Sequence, residues 1–403
     1  MRAMSQTALA IMLSVLLGGA DWRQFRGPDG CSVSPEKNVL TRLDGKENLA
    51  WKAPLLGTGP SGPIVIAGRV FVTAATGPRQ ERLRLLAFDA ATGKLRWERQ
   101  LWATGQTVCN PFGGVAISTP ASDGKRVFAF YSSNDLACFD LDGNLQWLRG
   151  LAYERPLTRN DVGMGSSPLV VGDTVVVQME DQGASWAAGI DAATGETRWT
   201  LDRPHEATWT TPTALPGPDP AESLVLLQSK PYLSAHDPRT GQEIFRYKAG
   251  CSTIASNAVA GACIYVPSEG LVALRYDRAT GNLEELWRER RLQPETASPV
   301  VDGNRLYVIK SGGVLVCADA ASGKVLWQLR LRGPFWATPV VAGGHLYAVN
   351  HDGLVQVVRL GSQGTPVSTA QIDKGILASP AVADGAVYFR SNQHVWKFAR
   401  HAP

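Results

Sequence analysis

Neither sign of charge dominates this chain. Across 403 residues, 40 Lys and Arg stand against 36 Asp and Glu, a balance that offers no electrostatic basis for a nucleic-acid partner. Long apolar runs are equally scarce: the one at Ala8–Leu17 is too short to cross a bilayer, which excludes a multi-span membrane protein. The six cysteines form no C-x-x-C, no C-x-x-C-H haem attachment and no adjacent pair. The six histidines show no metal-ligand spacing. Helical periodicity of usable length appears nowhere after Ala20. What remains is 44% apolar and only 19% charged, ample for a core and far from the composition of a disordered chain.

The first segment reads as an export signal. Arg2 supplies a basic start, Ala8–Leu17 the apolar run, and Gly18-Gly19-Ala20 the small residues at a cleavage point before Asp21. A lipid anchor would need a cysteine at that point, and the first is Cys31, so no lipobox is present. The expected organisation is a signal peptide over 1–20, an N-terminal arm over 21–46 and a single domain over 47–400. The mature chain is expected to be periplasmic or secreted, without a transmembrane span, and monomeric. Disulfides are permitted there, but spacing does not give their connectivity.

Internal repetition is the main signal. The phrase D-x-x-[TS]-G-x-x-x-W occurs as Asp89…Gly93…Trp97, Asp191…Gly195…Trp199 and Asp319…Gly323…Trp327. Weaker copies are Asp140…Trp147, Asp237…Gly241…Phe245 and Asp277…Gly281…Trp287. A second phrase, Ser or Thr before Pro and then small apolar residues and a Gly turn, precedes each copy. It starts at Gly62, Thr119, Ser167, Thr211, Ser256, Ser298, Thr338 and Ser379, eight starts spaced 40 to 57 residues apart. Each unit predicts four short strands of alternating pattern, with Gly at the tight turns and β-branched and aromatic residues on the pleated faces. The Asp accepts main-chain N–H bonds inside its turn, and the Trp covers the neighbouring sheet. Cys138 and Cys317, at matching places in their units, read as small buried strand residues.

Repeats of this length predict an all-β fold: an eight-bladed β-propeller of four-stranded antiparallel blades. The eighth unit has only three strands. The missing one is found at Asn48–Lys52, whose Trp51 fills the Trp position, so an N-terminal strand is expected to close the last blade and remove the free edge. Seven blades with a stray hairpin is the structural rival, because the unit from Thr338 to Gln371 has lost both the Asp turn and the Trp.

These residues resemble the tryptophan-docking repeat of the pyrroloquinoline-quinone (PQQ) type propellers, a quinoprotein-like family with WD40-like repeats. It includes PQQ dehydrogenases and the outer-membrane-protein assembly factor BamB. The opening Asp21-Trp22-Arg23-Gln24-Phe25-Arg26-Gly27-Pro28 and the stretch Asn110-Pro111-Phe112 resemble exported PQQ-like repeat proteins of planctomycete-type bacteria. For a dehydrogenase the resemblance implies a catalytic carboxylate beside Ca²⁺, hard oxygen ligands and, in the alcohol dehydrogenases, an adjacent Cys-Cys pair. This chain lacks the pair and is much shorter than those enzymes. The string Gly57-Thr58-Gly59-Pro60-Ser61-Gly62 leads into a strand, not a helix, so it is no dinucleotide loop. Asp140, Asp142 and Asn144 begin like a Ca²⁺ loop, but Gly143 is misplaced and no Glu follows at the twelfth position. No metal site and no catalytic residue is assigned.

Topology places sequence variety at one end of the ring. The blade crossings and second–third loops share that end, over Ala74–Arg82, Trp102–Ile117, Leu157–Gly165, Arg203–Trp209 and Arg332–Trp336. Polar and aromatic residues there form the candidate partner face: Asn110, Phe112, Arg159, Asn160, Asp161, His205, Glu206, Trp209, Trp336 and Lys374. The expected function is a non-enzymatic scaffold that binds a protein or glycan partner. The alternatives are an outer-membrane assembly factor and a divergent PQQ-dependent oxidoreductase, and only the last expects a cofactor, PQQ with calcium.

Overall fold

The computed structural model describes residues 21–44, 47–110, 113–158 and 163–400, and the expected signal peptide lies outside them. Eight four-stranded antiparallel sheets follow one another along the chain. The first runs from Ile64–Ile66 through Arg69–Thr76 and Arg82–Asp89 to Leu95–Trp102. Innermost strands are only two or three residues long and wholly or mostly buried, while outer strands are largely exposed. The eighth sheet takes Ala381–Ala383, Ala386–Arg390 and His394–Phe398 from the C-terminal end and Leu49–Pro54 from the N-terminal end. Trp51 lies opposite Lys397 on the outermost strand, so the ring closes by the expected joint.

The repeat phrase builds the outer seams between blades. In the third–fourth turn, Asp89 Oδ1 accepts from the Ala91 and Thr92 N–H groups at 3.1 and 2.8 Å. Asp191 and Asp237 do the same in their turns. The turn then needs a residue at positive φ, and Gly93 supplies it at +72°. There is a second reason for glycine: a Cβ at Gly93 would stand 2.6 Å from the Trp51 ring. The indole therefore lies flat on the bare turn, and its N–H donates to Ala90 O at 3.0 Å. Trp97, Trp147, Trp199, Trp287 and Trp327 repeat this docking on the next blade, through N–H bonds to Leu141, Ala192, Pro238, Ala320 and Gly361 carbonyls. Where the Trp is replaced by Phe245 the ring packs against Tyr276 instead, tilted by 39° with centroids 4.6 Å apart, and Gly281 carries no neighbour against its Cβ direction.

The arm after Asp21 does not hang from the ring. It enters the axial channel from the end that carries the Gly turns. Trp22 exchanges N–H···O bonds with Val65 of the first blade at 2.8 and 2.9 Å, and the residues flanking Val33 bond Val341 of the seventh. Between them, the buried Arg26 donates to the carbonyls of Asn257 and Pro299 in the fifth and sixth blades. The six cysteines are all free thiols, and Cys138 and Cys317 are buried strand residues as expected. No helix among the described residues is long and apolar enough to cross a membrane.

Trp51 is only 8% exposed and joins the last blade to the first. Trp51→Ala is expected to cost about 3–5 kcal/mol, read as a lowered Tm, and deletion of residues 49–54 should unfold the ring. Leu95→Ala, at 50% exposure on an outer strand, should change stability by less than about 0.5 kcal/mol. Acid tests the turns. The Arg96 guanidinium, with the turn N–H groups, holds the Asp89 carboxyl down to about 2, and Arg198 does the same for Asp191. A carboxyl depressed in the folded state contributes stability above its unfolded pKa, near about 3.9. That contribution should disappear as pH falls from about 4 to about 2, and an Arg96→Gln, Arg198→Gln double variant should show a shallower fall of Tm over that window.

Candidate functional site

At the end of the ring away from the Gly turns, the chain enters each blade through its repeat phrase. The first residue of that phrase is a hydroxyl residue in seven blades, and these seven form a head-to-tail collar. The N–H of Gly62 donates to Thr119 Oγ1 at 2.9 Å, Thr119 N–H to Ser167 Oγ at 3.0 Å, and Ser167 N–H to Thr211 Oγ1 at 3.1 Å. The series continues from Thr211 to Ser256, Ser256 to Ser298, Ser298 to Thr338 and Thr338 to Ser379, at 3.0, 3.0, 3.1 and 3.0 Å. It stops there, because the next residue around the ring, Gly62, has no side chain.

The collar is the wall of a funnel enclosing about 210 Å³ on the axis. Phe25, carried up the channel by the arm, reaches it from below. Above the collar the crossings contribute Cys109, Asn110, Ile117, Gly163–Gly165, Trp209, Ile254, Thr296, Trp336 and Leu377. Trp209 is fixed by its indole N–H to Gly163 O at 3.0 Å and its main-chain N–H to Thr253 O at 2.7 Å, and it packs over Gly165. Gln80 braces the crossing after the first blade: its Oε1 accepts from Val115 N–H at 3.0 Å and its amide donates to Cys109 Sγ at 3.7 Å. Burial pushes the Cys109 thiol up, so it is neutral at pH 7. Among the described lining residues there is no Asp, Glu, Lys, Arg or His.

Of the residues predicted from sequence, the structure brings Asn110, Trp209 and Trp336 together in the funnel. His205 and Glu206 are exposed on the crossing before Trp209, with Glu206 paired to Lys230 at 2.8 Å, and Lys374 is exposed on the crossing into the eighth blade. Phe112, Arg159, Asn160 and Asp161 lie outside the described residues. The loop expected over Ala74–Arg82 is shorter than the sequence suggested. Strand pairing runs to Thr76 opposite Arg82, because the buried run of the second strand continues through Ala74 and Ala75. Sequence reasoning missed Phe25, for which no periodic signal exists. It also read the collar hydroxyls only as blade punctuation, although the recurring Ser or Thr was their signal.

Buried charge sits in the seams between blades. Glu180 and Arg203 pair at 2.8 Å with 0% and 1% side-chain exposure between the third and fourth blades, and burial pushes the Glu180 carboxyl up. A calcium-held quinone needs clustered oxygen anions, and no group of three or more His, Cys, Asp or Glu that could hold a metal occurs among the described residues. Among the described residues the side-chain donors that line the funnel are neutral hydroxyls, the Asn110 amide and the Cys109 thiol, and none of them is an anionic oxygen ligand of the kind a calcium-held quinone uses.

The family model for outer membrane protein assembly factor BamB matches residues 29–162, 155–261 and 268–364. No curated protein matches the chain. Among solved structures, BamB from Moraxella catarrhalis is similar at a TM-score of 0.64 and 19% identity, over 88% of this chain and 98% of that one. A europium-containing methanol dehydrogenase is similar at 0.72 and 14% identity, over 94% and 98% of the two chains. Quinohemoprotein alcohol dehydrogenase from Comamonas testosteroni is similar at 0.70 and 14% identity, over 95% and 81%.

Proposed function

The chain belongs to the family of the outer membrane protein assembly factor BamB, and from that premise we propose that it is an exported, non-enzymatic scaffold holding a protein or glycan partner on its loop face. The observation that carries this reading is the character of the funnel. It is rigidly framed by the collar, open at the end where the crossings vary, and lined among the described residues by neutral donors and aromatic carbon. Such a site can bind and orient. It offers no described general acid, general base or electrophile that would move a proton or a hydride.

The site of action under this proposal is the periplasm or the exterior, with the variable crossings facing the partner. The family match also favours a narrower second reading, assembly of outer-membrane proteins, in which the partner is a protein of that machinery. Fold likeness to the dehydrogenases carries no activity by itself, since one fold hosts many chemistries.

Catalysis separates these readings from an oxidoreductase. Purified protein supplied with PQQ and Ca²⁺ is expected to reduce no dye above background with common alcohols or aldoses as substrate. Stoichiometric PQQ binding with dye reduction, lost in Asp161→Asn or Glu206→Gln, would overturn the scaffold reading.

A further inference from the structure

We propose that the axial funnel binds one neutral pyranose unit, a single hexose or N-acetylhexosamine residue at the end of a glycan. This deepens the scaffold reading and rests on it. Three observations converge on that chemistry.

The first is the state of the collar hydroxyls. Each of the seven accepts a main-chain N–H from the preceding blade, and none donates to an acceptor among the described residues. A hydroxyl oxygen that accepts one bond still holds a proton to give and a second lone pair. Six of the seven are buried, so a ligand in the funnel must meet those groups or leave them without water. An apolar ligand would strand them. A polyol both donates and accepts, as they do.

The second is the placement of aromatic carbon. Trp209 has its indole N–H committed to Gly163 O, so it offers the lumen ring carbon. Trp336 on the crossing into the seventh blade and Phe25 beneath add two more rings. A pyranose carries hydroxyls around its equator and C–H groups on its faces, and it can satisfy the collar while its C–H surface covers a ring.

The third is charge. Among the described lining residues no side chain is ionised, so none of them offers a counter-charge to a carboxylate, phosphate or ammonium ligand. The volume, about 210 Å³, is enough for one sugar ring.

The test uses the exported full-length product and the methyl glycosides of glucose, galactose, mannose and N-acetylglucosamine, with methyl glucuronide as the anionic control. Saturation-transfer NMR and tryptophan emission report binding. At least one neutral glycoside is expected to bind with a Kd of about 1 mM or tighter and to shift the emission. Trp336→Ala is expected to weaken that binding at least about tenfold, and Phe25→Leu, chosen to keep the channel filled, at least about threefold, each at unchanged Tm. Absence of binding by all four glycosides at about 10 mM overturns the inference. So does tighter binding of the glucuronide, or binding untouched by both substitutions. If no glycoside binds while a cell-envelope protein is held on the loop face, the inference fails and the scaffold reading stands. PQQ-dependent dye reduction removes the scaffold reading itself.

Discussion

The hydrogen bond from the leading N–H of one blade to the leading hydroxyl of the next is the constraint on which the ring depends. It is short, buried and always formed in the same direction, so it fixes the spacing and phase of each innermost strand against its neighbour. Ser and Thr serve because they accept close to their own main chain. At Gly62 the series has to stop: a Cβ there would lie 3.0 Å from Thr119 Oγ1 and 3.1 Å from Ser379 O. The open link falls at the joint between the eighth blade and the first, while the two ends of the chain meet inside the eighth blade, where Leu49–Pro54 pairs with His394–Phe398. Other bonds gather at that joint. Trp51 docks on Gly93, Asn392 Oδ1 accepts from Gly59 N–H at 3.3 Å, and the buried Arg390 donates to Ser61 O at 2.9 Å. Arg390 occupies the last position of its strand, as Gln228 does in the fourth blade, where a neutral amide bonds Ala255 O at 2.9 Å. Burial pushes the Arg390 guanidinium down to about 9, which leaves it charged at neutral pH.

The arm divides the axis into two parts with different characters. Below, Trp22 and Arg26 fill the channel and tie the first blade to the fifth and sixth, and Ser32 and Ser34 add the seventh, all through the blades' main-chain groups. Gly27, at φ +82°, lets the arm turn directly against the Trp22 ring, 2.7 Å from where a Cβ would stand. Above, the collar and the crossings leave a small cup whose described lining carries no charge. The buried ion pair of Glu180 and Arg203 lies in a seam, where it holds two blades in register, and the cup is left to hydroxyls and rings.

The sequence made the ring legible because a propeller repeats its physics in every blade. The turn Asp, the turn Gly and the docking Trp recur at fixed offsets, so the blade count and the closing strand at Trp51 could be read without coordinates. The seventh blade was harder, yet its strands Leu354–Arg359 and Thr365–Gln371 pair without the Asp turn, through the same bulge as the other blades, at Val357–Val358. What could not be read was anything made once. Arg26 meets a carbonyl 231 residues away, and nothing periodic announces such a contact. The candidate face was legible as a set of crossings, but which residues turn inward was not. His205, Glu206 and Trp209 sit within five residues of each other, and only Trp209 reaches the funnel, since its N–H groups are drawn to Gly163 and Thr253.

The collar is tested most directly by amide hydrogen exchange at the eight leading residues. The account predicts that the amides of Gly62, Thr119, Ser167, Thr211, Ser256, Ser298 and Thr338 exchange only on global opening of the ring. The Ser379 amide, which has no hydroxyl to meet across the closing joint, should exchange at least about a hundredfold faster. Equal protection at Ser379, or rapid exchange across the other seven, would contradict the claim that these bonds hold the blades in place.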